Sequence, residues 1–517
     1  MDKIELQRNT LLFVHVSTHF KEMIRVARLM KQNGTYNPYI FFYVKYEGVK
    51  RDIEQCQSEG VSFITYFDLN ASRQSGFNLK LQLLRFFLKL SLKFLEVISY
   101  ILKPFVFLFK CLFYFPGKFI STEKNQLTFK KNKRLAALLI FCYKMAWYKF
   151  PFFLPPISRA AYDYSKYMDR VLGQYQVKLL VFPEHNLFYF TQLIVYIGKK
   201  YKIPSIIVPF TIANTKEWAE TFYNKPSLSL SKIYNKVLSI AFPHWVYCYK
   251  NRQMILPVDL ILLHEMFRIT PKNPWLLNSG EIDFLALESD AMKNYYISAG
   301  LEEKYLKATG ALYNDELFRK LQDADSHRID LYHFLDMCPS KPMILCALPP
   351  NQCDSRQNVI EFLDYTEIVK YLLEQLAHYA KEYNIIINLH PRINFSSVEF
   401  IKDYPVKIFY GDIAEIIPLS AIYVSVCSAT IRMAISCGIP VINYDLYRYE
   451  YDDYVDLKGV ITVYNRAEFS SILEKLAKEP GFYAQIKEAQ LRDSEKWGQL
   501  DGMAGRNLLN EINLLWA

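Results

Sequence analysis

Strand-length apolar runs alternate with stretches of helical periodicity along this chain, and they do so twice. Near the N-terminus LLFVHV (11 to 16) is followed by HFKEMIRVARLMKQNG, whose apolar residues recur at helical spacing and stop at Gly34, and then by NPYIFFYV. SFITYF (62 to 67) reads as a third strand, and VKLLVFP (177 to 183), the helical FYFTQLIVYIGKKY and PSIIVPF renew the pattern. A Pro-rich passage, RITPKNPWLLNSGE (268 to 281), reads as a linker. Beyond it come KYLKATG, KPMILCAL, the helical EIVKYLLEQLAHYAKEY, IIINLHP, AIYVSV, TIRMAISCG and PVINYD. Strands joined through helices must cross over, which builds parallel sheets covered by helices on both faces. With 517 residues the chain exceeds what one core can hold. The expected architecture is α/β, with two Rossmann-like doubly wound lobes: residues 1–275, residues 285–490, and a closing helix in 491–517. Ligands of such lobes bind beyond the carboxyl ends of the strands.

Net charge is +10, but its placement says more than its sum. Residues 76–150 hold fourteen Lys/Arg against Glu96 and Glu123, a local +12 that leaves about −2 elsewhere. In LKLQLLRFFLKLSLKFLEVISYILKPFVFLFKCLFYFPGKF no uncharged run approaches the roughly 18 to 20 residues of a membrane-spanning helix. Lys89, Glu96, Lys103 and Lys110 recur every seven residues, near one side of a helix, among Leu, Phe, Ile and Val. That is the pattern of a helix lying in the interface of an anionic membrane, a reading preferred to the alternative of a pair of core helices whose lysines reach the surface. A second cluster (Lys130, Lys131, Lys133, Arg134) leads into LAALLIFCYKMAWYKFPFFLPP, with Tyr143, Trp147 and Tyr148 suited to head-group level. Nucleic acid fits poorly, because these lysines sit among apolar residues. The nine cysteines show no C-x-x-C pair and no zinc-like Cys/His clustering, so reduced thiols are expected. The N-terminal MDKIELQRNT has no apolar signal region. The expected location is cytoplasmic, peripheral on the inner face of the plasma membrane.

Two strand ends carry chemistry. NIIINLHPRINF (384 to 395) runs an apolar strand into His390 and Pro391, with Arg392 behind, where Asn, Asp or Gly would end a strand more simply. AIYVSVCSATIRMAISCGIPVINYD (421 to 445) reads as strand, Ser/Thr turn, helix, Gly438 cap, Pro440 and next strand. Ser428 and Thr430 fall at the helix start with Arg432 in its first turn, an arrangement that can seat a phosphate or simply cap the helix.

In this order, the His390-Pro391 pair, the Ser428/Thr430 pair and the closing Gly438-x-Pro440 resemble bacterial GT-B glycosyltransferases that build capsule and lipopolysaccharide. Bacterial sialyltransferases, polysialyltransferases and some Kdo transferases share the arrangement. KATGALYNDEL (307 to 317) is similar to the T-G-N-P-x-x-D-x-L stretch of many GT-B proteins and of UDP-N-acetylglucosamine 2-epimerases. The tail WGQLDGMAGRNLLNEI (497 to 512) resembles the closing helix of surface-polysaccharide transferases. The resemblance implies that His390 contacts the donor phosphate or nucleotide and that Ser428 and Thr430 bind phosphate. Arg392, Arg432, Gly310 and Asp445 join them as donor-side candidates. Many relatives carry a Glu that grips the ribose where this chain has Met433, which weakens a UDP-sugar reading and leaves CMP- or CDP-linked donors open. NYDLYRYEYDDY (443 to 454) is also similar to a region of CDP-glycerol polyol-phosphate transferases.

The catalytic base is expected in the first lobe. Glu184 in VFPEHN stands where bacterial sialyltransferases carry an acidic motif, with His185 and Asn186 in place of its second acid and Gly. His19 in HVSTHF lies where some GT-B enzymes place a base His; either residue could instead serve only its helix. Asp323-Ala-Asp325 lies in a polar loop, so a metal-independent reaction is expected, with a nucleotide-sugar as substrate and no other cofactor. The expected partners are that donor, a lipid-linked or polysaccharide acceptor and an anionic membrane. A polyol-phosphate transferase and a non-catalytic GT-B scaffold are the competing readings.

Overall fold

The computed structural model describes residues 7–67, 132–209, 214–356, 358–390, 393 and 395–516. Residues 76–131 of the basic insert, and the donor-side candidate Arg392, lie outside them. Fifteen strands are present among the described residues: β1 Arg8–Val14, β2 Tyr36–Phe42, β3 Ser62–Thr65, β4 Leu179–Phe182, β5 Ser205–Ile207, β6 Val246–Tyr249, β7 Arg252–Ile255, β8 Phe284–Leu287, β9 Leu306–Ala308, β10 Met343–Ala347, β11 Asn384–Asn388, β12 Lys407–Phe409, β13 Ile422–Ser425, β14 Val441–Tyr444 and β15 Val460–Val463. Seven form a sheet in the order β3-β2-β1-β4-β5-β8-β9, six form a second in the order β12-β11-β10-β13-β14-β15, and β6 and β7 make a separate antiparallel pair. By its contacts the chain divides into two units, Met1–Ser205 with Ala219–Glu281, and Ile206–Trp218 with Ile282–Ala517.

In the first unit, β1 runs parallel to both β2 and β4, with Leu11 opposite Tyr39 on one side and Leu180 on the other. Residues Leu11 to Val14 are fully buried because helices cover both faces of a parallel sheet, which is why the strand reads as an unbroken apolar run. Phe13 stacks on Phe182 with ring centroids 4.4 Å apart. The helix Ser17–Asn33 buries Phe20, Met23, Ile24, Ala27 and Met30, and it stops where expected: Gly34 takes φ 78°, and its N–H meets the carbonyls of Met30 and Lys31.

The passage 268–281 is not a linker. Trp275 and Leu276 are buried, the Trp275 indole N–H donates to the Trp245 carbonyl (2.9 Å), and Asn278 Oδ1 accepts the N–H of His185 (2.8 Å). Its prolines shape a packed loop whose apolar PWLL core outweighs the turn-like composition.

The six-stranded sheet of the second unit is parallel throughout, and helices Tyr365–Ala377 and Arg466–Lys478 bury Leu372, Leu373, Phe469 and Leu473 in its core. Both helices begin on a side-chain cap. Asp364 and Asn465 accept the N–H of Glu367 and Glu468, and those glutamates reach back to the N–H of Leu363 and Tyr464. KYLKATG, read as part of the second lobe's own alternation, forms β9 instead, paired to β8 at the edge of the seven-stranded sheet. A three-residue strand takes its place from its neighbour, and β8 carries no alternation that marks it. The C-terminal segment 491–517 holds the end of the helix Pro480–Trp497 and a separate helix, Ala504–Leu514. Residues 206–218, expected in the first lobe, make their contacts in the second unit. Among the described residues no helix is long and apolar enough to cross a membrane.

Candidate functional site

In each sheet the strand order reverses once, between β1 and β4 in the first and between β10 and β13 in the second. Helices on opposite faces leave a crevice at such a reversal, at the carboxyl ends of the strands. Of the residues singled out from sequence, His19 and Glu184 follow β1 and β4, and Ser428 and Thr430 follow β13.

Ser428 and Thr430 follow β13, and His390 follows β11. These two strands flank β10, so the backbone positions stand two strand spacings apart, about 10 Å. His390 is half-buried, neither sealed in the core nor free of neighbours. The turn after β13 is set by Cys427, which takes a left-handed φ of 44°. Its N–H donates to Asn443 Oδ1 (2.9 Å), and Asn443 donates in turn to Thr462 (3.2 Å), pinning the turn to β14 and β15. Thr430 Oγ1 meets Ser428 Oγ at 2.8 Å and also the buried Tyr423 hydroxyl. Among the described residues nothing accepts the N–H groups of Ser428 and Ala429. Two donors and two hydroxyls on one turn can meet an oxygen-rich anion.

Three donor-side candidates have other work. The Arg432 guanidinium is buried and ion-paired with Glu288, whose second oxygen accepts the Tyr313 hydroxyl (2.5 Å), and its Nε donates to the Ala429 carbonyl (3.2 Å), so its charge is matched inside the unit. Asp445 is buried with both oxygens on backbone, accepting from Tyr449 (2.9 Å) and Glu450 (2.7 Å). It therefore organises the Tyr-rich loop after β14. Gly310 takes φ 82°, and a side chain there would come within 2.9 Å of Ala504 Cβ. Five residues on, the carboxylate of Asp315 accepts the N–H groups of Ala504 and Gly505 (2.9 Å each), so the T-G-x-x-x-x-D stretch seats the last helix.

Sequence reading missed an acidic pair in the same unit. Asn214 caps the helix Thr215–Tyr223 with Oδ1, while its amide donates to both oxygens of Asp453 (2.9 and 2.8 Å). Glu217 is exposed as a residue, yet desolvation of its carboxyl, with the charge of Asp453 adding and that of Arg432 opposing, raises its pKa to about 7. Burial also raises Asp453, against the Asn214 hydrogen bond. The N-T-K-E spacing announces a helix start; nothing local reveals that its Glu meets an Asp far along the chain.

In the first unit the two base candidates share one site. His19 Nε2 lies 3.8 Å from Glu184 Oε1, and the same oxygen accepts from the Asn186 amide (3.0 Å). The N–H of His15 points at His19 Nδ1 (3.3 Å), an arrangement that assigns the imidazole hydrogen to Nε2, the nitrogen facing Glu184. Burial lowers His19 to about 3, so the ring is neutral. His15 stacks on Tyr189 at 4.2 Å, and both of its ring nitrogens are buried with no hydrogen-bond partner among the described residues, as are those of His185. A carboxylate oriented by an amide beside a neutral imidazole N–H can accept a proton.

No family model matches the chain, and no curated protein matches it. Among solved structures it is similar to a UDP-GlcNAc 2-epimerase from Neisseria meningitidis bound to UDP-GlcNAc, at 12% identity and a TM-score of 0.50, covering 98% of this chain and 100% of that one. A second UDP-N-acetylglucosamine 2-epimerase is 10% identical with a TM-score of 0.50, covering 99% and 97%. The calicheamicin glycosyltransferase CalG4 is 9% identical with a TM-score of 0.49, covering 99% and 98%. At such identities the likeness is one of fold: the chain is α/β, with two Rossmann-like lobes of GT-B type.

Proposed function

We propose that this protein is a glycosyltransferase that moves a sugar from a nucleotide-activated donor to a lipid-linked or growing surface polysaccharide. The observation that carries the reading is the placement of two chemically different residue sets at the strand-order reversals of two GT-B lobes. The turn Ser428–Thr430, with His390 nearby, supplies hydrogen-bond donors for a donor phosphate, and the Glu184–His19 pair supplies a proton acceptor. In the proposed step an acceptor hydroxyl attacks the anomeric carbon, its proton passes to the Glu184 carboxylate, and the bond from that carbon to the phosphate oxygen breaks with its electron pair on the nucleotide. Donors aimed at that oxygen stabilise the developing charge, and losing one costs on the order of 10² to 10³ in rate. A placed base contributes on the order of 10² to 10⁴. Met433, in place of a ribose-gripping acid, favours a CMP- or CDP-linked donor over a UDP-linked one, and the chain's own residues are proposed to act without a metal.

The test is thermal shift and calorimetry with CMP, CDP and UDP, followed by nucleotide release from the matching sugar donors over isolated membranes. Stabilisation by one nucleotide that His390→Ala abolishes, with turnover that Glu184→Gln reduces at least a hundredfold, supports the reading. No binding by any of the three overturns it in favour of a scaffold. The fold shared with 2-epimerases favours one second reading, epimerisation at C2 of a UDP-sugar. Conversion of UDP-GlcNAc without an acceptor, followed by NMR, would establish that instead, and transfer of a polyol phosphate from a CDP-polyol would establish a third.

A further inference from the structure

A second surface of the first unit has no part in this chemistry. The helix Lys133–Lys149 is apolar on two opposite sides. One side buries Ala136, Tyr143 and Trp147 in the unit, as expected of a surface helix. The other presents Leu138, Phe141, Met145 and Tyr148, at i, i+3, i+7 and i+10, to solvent, with Phe141 62% exposed. The next turn adds Phe150 and Phe152, the latter 68% exposed. The helix Ile233–Ala241 repeats the arrangement: Leu238 and Ala241 face inward, while Ile233, Val237 and Ile240, at i, i+4 and i+7, face outward, with Ile233 66% exposed. The two helices meet where the Asn132 N–H donates to the Ile240 carbonyl at 3.1 Å. Helices with apolar residues on both sides are typical of a core or a membrane, and exposed apolar side chains gathered on two adjoining helices mark an interaction site.

Charge identifies the occupant. Lys133, Arg134, Lys144, Lys149, Lys232 and Lys236 are exposed on these two helices and at their start, and the helices carry no acid. A second copy docked on the same face would set cation against cation. The preceding segment 76–131 carries ten Lys/Arg against two Glu, so a cover formed by it would bring further cations beside these six. An apolar surface ringed by lysine, with Tyr148, Phe150, Phe152 and Tyr234 at its margin, matches the interior, interface and head groups of an anionic bilayer. We infer that the face formed by Leu138, Phe141, Met145, Phe152, Ile233 and Val237 docks this protein on a membrane containing anionic lipid. Residues 233–241 lie far along the chain from the basic insert, so this surface is assembled by the fold. It stands independently of the catalytic reading.

The experiment is co-sedimentation of the full chain with vesicles of phosphatidylcholine alone and of phosphatidylcholine mixed with phosphatidylglycerol. Binding to the mixed vesicles is expected. Replacing Phe141, Met145, Ile233 and Val237 together with Ser is expected to lower partitioning on the order of 100-fold, since each withdraws a large apolar side chain from lipid. Its melting temperature should hold, because those side chains face solvent. Replacing Lys144, Lys149 and Lys236 with Gln is expected to remove roughly fivefold per side chain of the preference for anionic vesicles, and it touches no packing if the serine variant misfolds. Full vesicle binding by the serine variant, an unchanged lipid preference in the glutamine variant, or a dimer that the serine variant dissociates without any vesicle binding would overturn the inference.

Discussion

Mild acid should unfold the first unit before it affects much else. Burial lowers His19 and His185 to about 3 and His264 to about 4, and it holds His15 well below the ordinary range, with His19 adding to the effect. In an unfolded chain each returns to roughly 6.5. Between the two values the unfolded state binds more protons than the folded one, so this stability is fully present above about 6.5 and is lost as pH falls toward the folded values. At pH 5 all the folded values lie lower still, so the loss depends almost wholly on the unfolded value. From pH 7 to pH 5 it comes to about 2 kcal/mol per histidine. His19, His185 and His264 together give about 6 kcal/mol, and His15 adds in the same direction, against a typical domain stability of about 5 to 15 kcal/mol. Urea unfolding read by the fluorescence of Trp147, Trp245 and Trp275, all buried in this unit, measures it at pH 7, 6 and 5. Ordinary carboxylates titrate lower, and Glu217, in the other unit with a pKa raised to about 7, gains its proton in the folded state and shifts stability the opposite way. His185→Leu, which removes a ring with no hydrogen bond among the described residues, should flatten the drop by about 2 kcal/mol. A midpoint that stays level from pH 7 to 5, or an unchanged slope in that variant, would refute the account.

Other substitutions separate packing from chemistry. Gly310→Ala should cost about 1 to 3 kcal/mol in a thermal melt, since it strains a left-handed backbone and presses on Ala504. Gly300→Ala, also left-handed but with open space around it, should cost only about 1 kcal/mol. Arg432→Ala leaves Glu288 buried without its cation and should destabilise by about 3 to 5 kcal/mol, while nucleotide affinity measured on the folded fraction stays near that of the parent. Asp315→Ala removes the acceptor for two N–H groups at the start of the helix Ala504–Leu514 and should cost about 0.5 to 2 kcal/mol, with earlier amide exchange in that helix.

Much of this architecture is legible in the chain because parallel strands are buried on both faces and therefore read as unbroken apolar runs such as LLFVHV and NIIIN. The local stop at Gly34 is equally plain, while Asp364 and Asn465, each with a Glu three residues on, carry helix-start signals that the sequence reading left unused. What resisted reading was any feature settled by a distant partner. Arg432 looks like a cation poised at a helix start until Glu288 is seen beside it. Trp275 looks like part of a linker until it is seen against Trp245. Glu184 and His19 looked like rivals, since 165 residues separate them in the chain, yet β1 and β4 are neighbours and bring them to 3.8 Å. The outward stripe of residues 233–241 was passed over because an apolar helical pattern does not disclose which of its sides a fold will cover.

The chain passes between its two units near residues 205, 218 and 281. No single cut therefore yields two intact halves. A fragment begun at Ile282 would lack Ile206 and Ile207, leaving the β8 edge bare, and would lack Asn214, stripping Asp453 of both amide donors. Exchanging the second unit with that of another protein of this fold would have to transplant residues 206–218 along with everything from 282 onward, as two grafts rather than one.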